Sequence, residues 1–554
     1  MPTPTKRILF RSFWISLLGV ILLFCGAWFG GRLWLAQSQM PYAGEVWLQG
    51  LSAPVNVHFD ERGIPRVYAT TDRDAMTTLG WLHAGERLFQ MELIRRMAYG
   101  ELAALFGPAA LELDVLHRGF GFARRVLDDP PQLDAQTAAL LDAYLLGINS
   151  RIESGDPLPP EFLILDHEPR AWTREDVLAI AYYQTFFPLT LVQQIRDAYL
   201  AVTERFGPEA GDWLERLTAS GIATIPQLRM TEASNTWVVA PERSSSGSAL
   251  HASDPHLEFS TAPGLWYAVG LHSDESINAL GVTAPGLPFI AMGHNGRLAW
   301  AFTVAPVDLF ELYQFERDPR ETGSVLGPEG LIALNRREEH IAVRGQEIAH
   351  RQDYEYVPFG KVLEASDTHV LVLRWAGFEL PIEPLVRQGL AINRAEDFKQ
   401  FREAASDMGA LSVNWSYSDR AGNIGYVQST PIPIRPHREF FRVLDGANPQ
   451  HNWQGFHRPE HRPYALNPQT GWLANANNLA VGPDWPYPLP GFYYQDRIRR
   501  AAERLQSQPA FTQADMTRFQ LDMVSDRAVE WKDWLADVAE RTGRDARSEE
   551  RRVG

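Results

Sequence analysis

EASNTWVVAPERSSSGSALHASDPHLEF, residues 232–259, is where the texture of this chain changes. The apolar runs NTWVVA and SALHAS, parted by turn residues, read as strands. Downstream the same pattern recurs in LWYAVGLHS, FIAMGH and LAWAFTV, and Asn295-Gly296 between the last two is a strong hairpin signal. IAVRGQEI, HVLVLRWAG, LSVNWSYSD and NIGYVQS continue it. Upstream the texture is helical. Leu79, Leu82, Leu88, Met91, Leu93 and Leu102 line one side of a helix expected from Asp74 to Phe106, with Asp72 as its cap and Gly107-Pro108 as its stop. Further helices are expected over Gln132–Ile152 and Arg174–Arg205. Before them, VNVHFDERGIPRVYAT alternates about a Gly-Ile-Pro turn as two strands. Helices followed by many short strands imply layers of helix packed on sheet.

The 554 residues carry a formal net charge of -16, so the body offers no electrostatic footprint for nucleic acid. Ser12 to Gly31, SFWISLLGVILLFCGAWFGG, is uncharged and long enough to span a bilayer. Lys6, Arg7 and Arg11 before it stay in the cytoplasm by the positive-inside rule, which puts everything after Trp34 outside. The other reading is a cleaved signal peptide, for which LWLAQSQM is a weak cleavage site. Cys25, the only cysteine, lies in that span, so the body has no disulfide, thiolate nucleophile or cysteine metal site.

The expected organisation is a cytoplasmic stretch 1–11, an anchor 12–34, a mostly helical first part 40–210, a spacer 211–233 and a strand-rich part 234–546. The terminal RSEERRVG (547–554) is a charge run that also reads as translated sequencing adapter, so part of the natural C-terminal region is expected to be missing. G-x-S-x-G, P-loop and H-E-x-x-H signatures are absent. His451, His457 and His461 lack metal-type spacing and read as loop histidines.

Several motifs together carry a resemblance. SNTWVVAP with SGSALHASDPHL, GIPRVYA, LGWLHAGERLFQMELIRRMAYGELAALFG and EPRAWTREDVLAI, then GLPFIAMGHNGRLAWAFT, VNWSYSDRAGNIGYVQ and GWLANANNLAVGPDWPYPLPGFYYQDRIR resemble the penicillin acylase family of N-terminal-nucleophile hydrolases from about Val46 to Arg500. The resemblance implies an α+β fold, a four-layer αββα sandwich with a helical first chain, here preceded by the N-terminal transmembrane helix read from the apolar run above. It also implies cleavage before Ser234, whose freed α-amine then serves as the base. A serine hydroxyl needs such a base, and an α-amine with a pKa of roughly 7.7–8.0 suits the work. The backbone N–H of Val304 and the side-chain amide of Asn414 take the oxyanion roles by the same resemblance. His256 falls beside the nucleophile, and Arg435 matches an arginine that orients the oxyanion site.

No cofactor is implied for the chemistry. Asp308 and Glu311 match second-chain calcium ligands, whereas the first-chain carboxylate falls at Gln193 or Gln194, and calcium favours several charged oxygens. The partners implied are a small N-acyl substrate, the membrane through the N-terminal helix, and the two associated chains left by cleavage. Phe186 and Phe187 match the acyl-pocket region and equally suit a helix core. A β-lactam side chain, an acyl-homoserine lactone and an acylated peptide all remain open as substrates. A catalytically silent anchored binding protein and a conventional serine esterase are the rival classes.

Overall fold

Thr71, not Asp72, opens the long helix of the first half. Its backbone is extended (φ -119, ψ 154) and its hydroxyl accepts from Asp74 N–H at 3.1 Å. Asp72 is instead occupied across the interface, accepting from the hydroxyls of Ser273 and Ser276 and from Ile277 N–H. The helix ends at Gly100, whose left-handed φ of 64 closes it before the expected stop at Gly107. A short helix, Ala103–Phe106, follows.

The structure is a computed structural model and describes residues 4–186, 205, 233–257, 264–321, 323–491, 493 and 496–541. Its elements are mixed, α+β. The helices needed below are α1 (Pro4–Gln37), α2 (Asp72–Tyr99), α3 (Ala135–Ile152), α4 (Arg174–Phe186) and α5 (Asp496–Gln506). The strands are β1 (Ala233–Val239), β2 (Leu250–His256), β3 (Leu298–Val304), β4 (Val413–Asp419) and β5 (Trp472–Asn475). Gln193, Gln194, Phe187, most of the expected spacer and residues 547–554 lie outside the described residues.

A nine-stranded sheet runs from Asn56–Phe59 at one edge to Tyr464–Leu466 at the other and pairs β3 with β4 as its sixth and seventh strands. A three-stranded sheet holds β1 between β5 and β2, antiparallel to both. The two sheets meet through polar bridges: Thr236 to Ser416 at 2.7 Å and Thr303 to Asn475 at 2.6 Å. The main core joins α2, α3 and α4 to the nine-stranded sheet. A smaller core packs Trp237 and Val239 of β1 against Leu505 of α5 and against Phe511 and Met516. In place of the strand expected at IAVRGQEI, pairing runs over Asn335–Ile341, and Gly345 (φ 83) turns the chain beyond it. In α1, Leu17–Gln37 is long and apolar enough to cross a membrane, and none of it is buried in the protein.

Candidate active site

Ser234 is the second residue of β1, opposite Pro255 of β2, and is 7% exposed. Its backbone N–H donates to Asn477 Oδ1 at 3.0 Å, and its hydroxyl donates to the carbonyl of Ala233 at 2.7 Å. The Ala233–Ser234 peptide is intact here, so this nitrogen stands where the free amine would be after a cut. Arg497, from the first turn of α5, binds Ser234 O (2.8 Å), Asn235 Oδ1 (2.7 Å) and Asn477 Oδ1 (2.7 Å). Asn477 completes the junction by donating through Nδ2 to Val304 O at 2.7 Å.

Asn477 and Arg497 were missed by the reading of the sequence, although both fall in its last matched motif. A usable signal was present: Asn475, Asn477 and Asn478 crowd a segment that follows an apolar strand. Amides buried there must find partners. Asn475 and Asn477 do, and Asn477 adopts the left-handed φ of 61 that asparagine tolerates.

Of the residues named by resemblance, Val304 reaches Ser234's cavity and Asn414 does not. The Asn414 amide nitrogen is shared among Thr303 Oγ1 (3.2 Å), Val304 O (3.3 Å) and Asn475 Oδ1 (3.2 Å). Its oxygen accepts from the Tyr426 hydroxyl at 2.6 Å, and burial raises that phenol's pKa well above its ordinary range, so it stays a donor. His256 pairs in register with Ala233; its ring binds Asp254 (2.9 Å) and Asn235 (3.3 Å), not Ser234 itself.

The Arg435 side chain is buried, and its hydrogen bonds go elsewhere: to Glu311 at 2.7 Å and to the carbonyls of Asp308 (2.8 Å) and Phe310 (3.3 Å). Trp453 Nε1 also donates to Glu311, at 2.8 Å, and His437, its pKa lowered by burial, lies 3.9 Å away. Asp308 accepts from Phe310 N–H. This donor set does not suit a calcium ion, because the guanidinium already neutralises the one carboxylate it would need most. Among the described residues no three acidic, histidine or cysteine side chains gather as metal ligands.

Beside Ser234 opens a cavity of about 150 Å³, walled by Leu257, Trp266, Phe289, Phe302, Met408 and Trp415 among others. Ser234, Asn477 and Gln184 bring hydroxyl and amide side chains to its lining. Phe186 is not in this wall; it packs against Phe120 (4.3 Å) and Trp375 (5.2 Å) as helix core. The arrangement is a buried hydroxyl at the mouth of an apolar pocket, held by an amide and a guanidinium.

The family model described as penicillin amidase matches residues 54–552. The penicillin acylase 2 proenzyme of Pseudomonas sp. (strain SE83) is 32% identical, over 88% of this chain and 66% of its own. Acyl-homoserine lactone acylase QuiP of Pseudomonas aeruginosa is 26% identical, over 90% of this chain and 64% of its own. The chain thus spans slightly under two thirds of these relatives' length. A thermostable penicillin G acylase from Alcaligenes faecalis superposes with a TM-score of 0.49 at 25% identity, covering 55% of each chain.

Proposed function

The chain belongs to the penicillin amidase family, and on that basis we propose that it is a self-processing N-acyl amide hydrolase acting from Ser234. The observation that carries this reading is the convergence on Ser234 of Asn477, Arg497 and Val304 at the edge of an apolar pocket. A relative that is 32% identical is called a proenzyme, which agrees with a chain that must be cut.

In the cut, Ser234 Oγ attacks the carbonyl carbon of Ala233, already beside it, and its proton passes to the departing Ser234 nitrogen. Water then hydrolyses the resulting ester and leaves Ser234 as a chain start. In turnover the freed amine takes the hydroxyl proton as Oγ attacks the substrate carbonyl. The amide's own nitrogen leaves with that proton, and water returns the acyl-serine to serine and acid. A positive Arg497, which shares the Asn477 Oδ1 acceptor with this nitrogen, disfavours protonation of the amine and keeps it a base.

The oxyanion falls to the Val304 N–H and an asparagine amide. What favours Asn477 over Asn414 is its place in the pocket wall beside Ser234. Asn414 then holds Asn475 and the end of β3 in place. His256 steadies Asn235 and Asp254, and Arg435 anchors the chain just past Val304. No step runs through a metal.

The pocket's apolar wall favours a neutral acyl group, and a charged one would be left without a partner there. The order in which elements pack supports an αββα sandwich: α2–α4, the nine-stranded sheet, the three-stranded sheet, then α5 and the helix Gln513–Gln520. α1 is proposed as an uncleaved anchor that leaves the catalytic body in the periplasm.

Intact mass and N-terminal sequencing of the wild type beside Ser234→Ala test the proposal. The expected result is a second chain beginning SNTWVV in the wild type and an uncut variant. A folded but uncut wild type would sink it.

A further inference from the structure

Between the last residue of α1, Gln37, and the first residue packed into the core, Met40, stand only Ser38 and Gln39. Three extended steps reach at most about 11 Å. Met40 is 4% exposed and lies so tightly on α2 that a Cβ on Gly85 would sit 2.6 Å from its sulfur. On the reading of α1 as an uncleaved anchor, on which this placement rests, a body fastened this closely to the helix end is held against the bilayer surface, and the side that carries Met40 faces the lipid.

The chain that leaves Met40 is PYAGEVWLQG, residues 41–50, with Glu45 its single charge. Trp47 is 94% exposed, with Tyr42 and Val46 about half exposed beside it. Tyr42 is braced edge-on against Phe59 (4.8 Å), and Leu48 is the strap's next point of contact with the core. A nearly bare indole is costly in water and suits the lipid–water interface, where an apolar ring and a polar N–H are both satisfied.

The same stretch of α2 leads to the acyl pocket. Five residues beyond Gly85, past a kink at Arg87 (φ -132, ψ 16), Gln90 donates to Gly264 O at 3.2 Å, and Arg87 donates to the same carbonyl at 3.0 Å. Leu265 and Trp266, next in the chain, line the cavity that holds Ser234. We propose that the Tyr42–Trp47 strap rests in the lipid–water interface and that the pocket is loaded from the membrane with amphiphiles carrying a neutral acyl chain. The loading half of this proposal rests on the hydrolase reading of Ser234.

The test uses the full chain reconstituted in vesicles of phosphatidylcholine and phosphatidylglycerol. In a Cys25→Ser background, a nitrobenzoxadiazole probe is attached through Trp47→Cys or, as a control, through Ile348→Cys on an 83% exposed turn position. Lipids spin-labelled near the headgroup should quench the probe at position 47 and spare the one at 348, with aqueous iodide giving the reverse. A position-47 probe quenched by iodide as strongly as the control, or shielded from both quenchers, overturns the strap's placement.

The second arm measures hydrolysis of a long-chain N-acyl amide dispersed in the vesicles and of a soluble short-chain one. Trp47→Glu should slow the first by at least about threefold and leave the second unchanged. Equal effects on the two substrates overturn membrane loading. Failure of the wild type on both substrates, with lipid quenching intact, sinks the Ser234 reading and the loading with it but leaves the strap in the interface.

Discussion

The amide of Asn477 faces two ways, accepting from Ser234 N–H and donating to Val304 O. Truncation to Asn477→Ala should therefore lower kcat by about 10²–10³, with KM little changed, as expected when a donor serves mainly the transition state. Asn414→Ala should act differently. It leaves Tyr426, Asn475 and Thr303 short of partners in a buried setting and should cost about 1–3 kcal/mol of stability, measured by urea unfolding. Equal losses of kcat with equal stability would return the oxyanion role to Asn414. Ser234 was legible in the sequence only because SNTWVVAP and the motifs around it together resemble a known family; by itself it reads as a serine before a strand. Asn477 and Arg497 were not, since their partner lies about 240 to 260 positions away (Asn477 is 243 from Ser234) and nothing local announces the contact.

Helices α2 and α3 meet backbone to backbone. A Cβ at Gly147 would fall 1.9 Å from Thr77 O, and one at Gly80 would fall 2.0 Å from Tyr144 O. Gly147→Ala should destabilise by about 1–3 kcal/mol through overpacking, read as a lowered melting temperature. Hydrophobic periodicity found both helices, but it could not show how closely they approach, since a glycine pattern says nothing of its partner.

His83 ties α2 to the sheet, bonded to Tyr144 and Thr283 at 2.7 Å each. Burial pushes its pKa from 6.5 down to about 3. Between those values the unfolded chain takes up a proton that the folded chain refuses, so stability falls as pH drops from 6.5 towards 3. Urea midpoints should decline across that window in the wild type and decline less steeply in His83→Gln. A parallel decline in the two proteins would assign the effect to other groups.

For the molecule as a whole, the carboxylate site of Glu311 and Asp308 is closed by the protein's own cation. Adding calcium or a chelator should leave the melting temperature of the wild type unchanged. Arg435→Met should melt lower, because it strands a buried carboxylate. A melting temperature that rises with calcium in the wild type would reopen a metal site. The layering of helices on strands could be read from alternating patterns along the chain. The exact pairing of β1 between β5 and β2 could not, because β5 joins from the far end of the sequence.

That distant pairing has a consequence for how the protein is made. Ser234 emerges from the ribosome early, but Asn477 and Arg497, which grip its nitrogen and its carbonyl, are synthesised more than two hundred residues later. The junction cannot assemble on a nascent or broken chain. The proposed cut would then act as a proofreading mark, made only on polypeptides that have been translated past α5 and have brought that helix home.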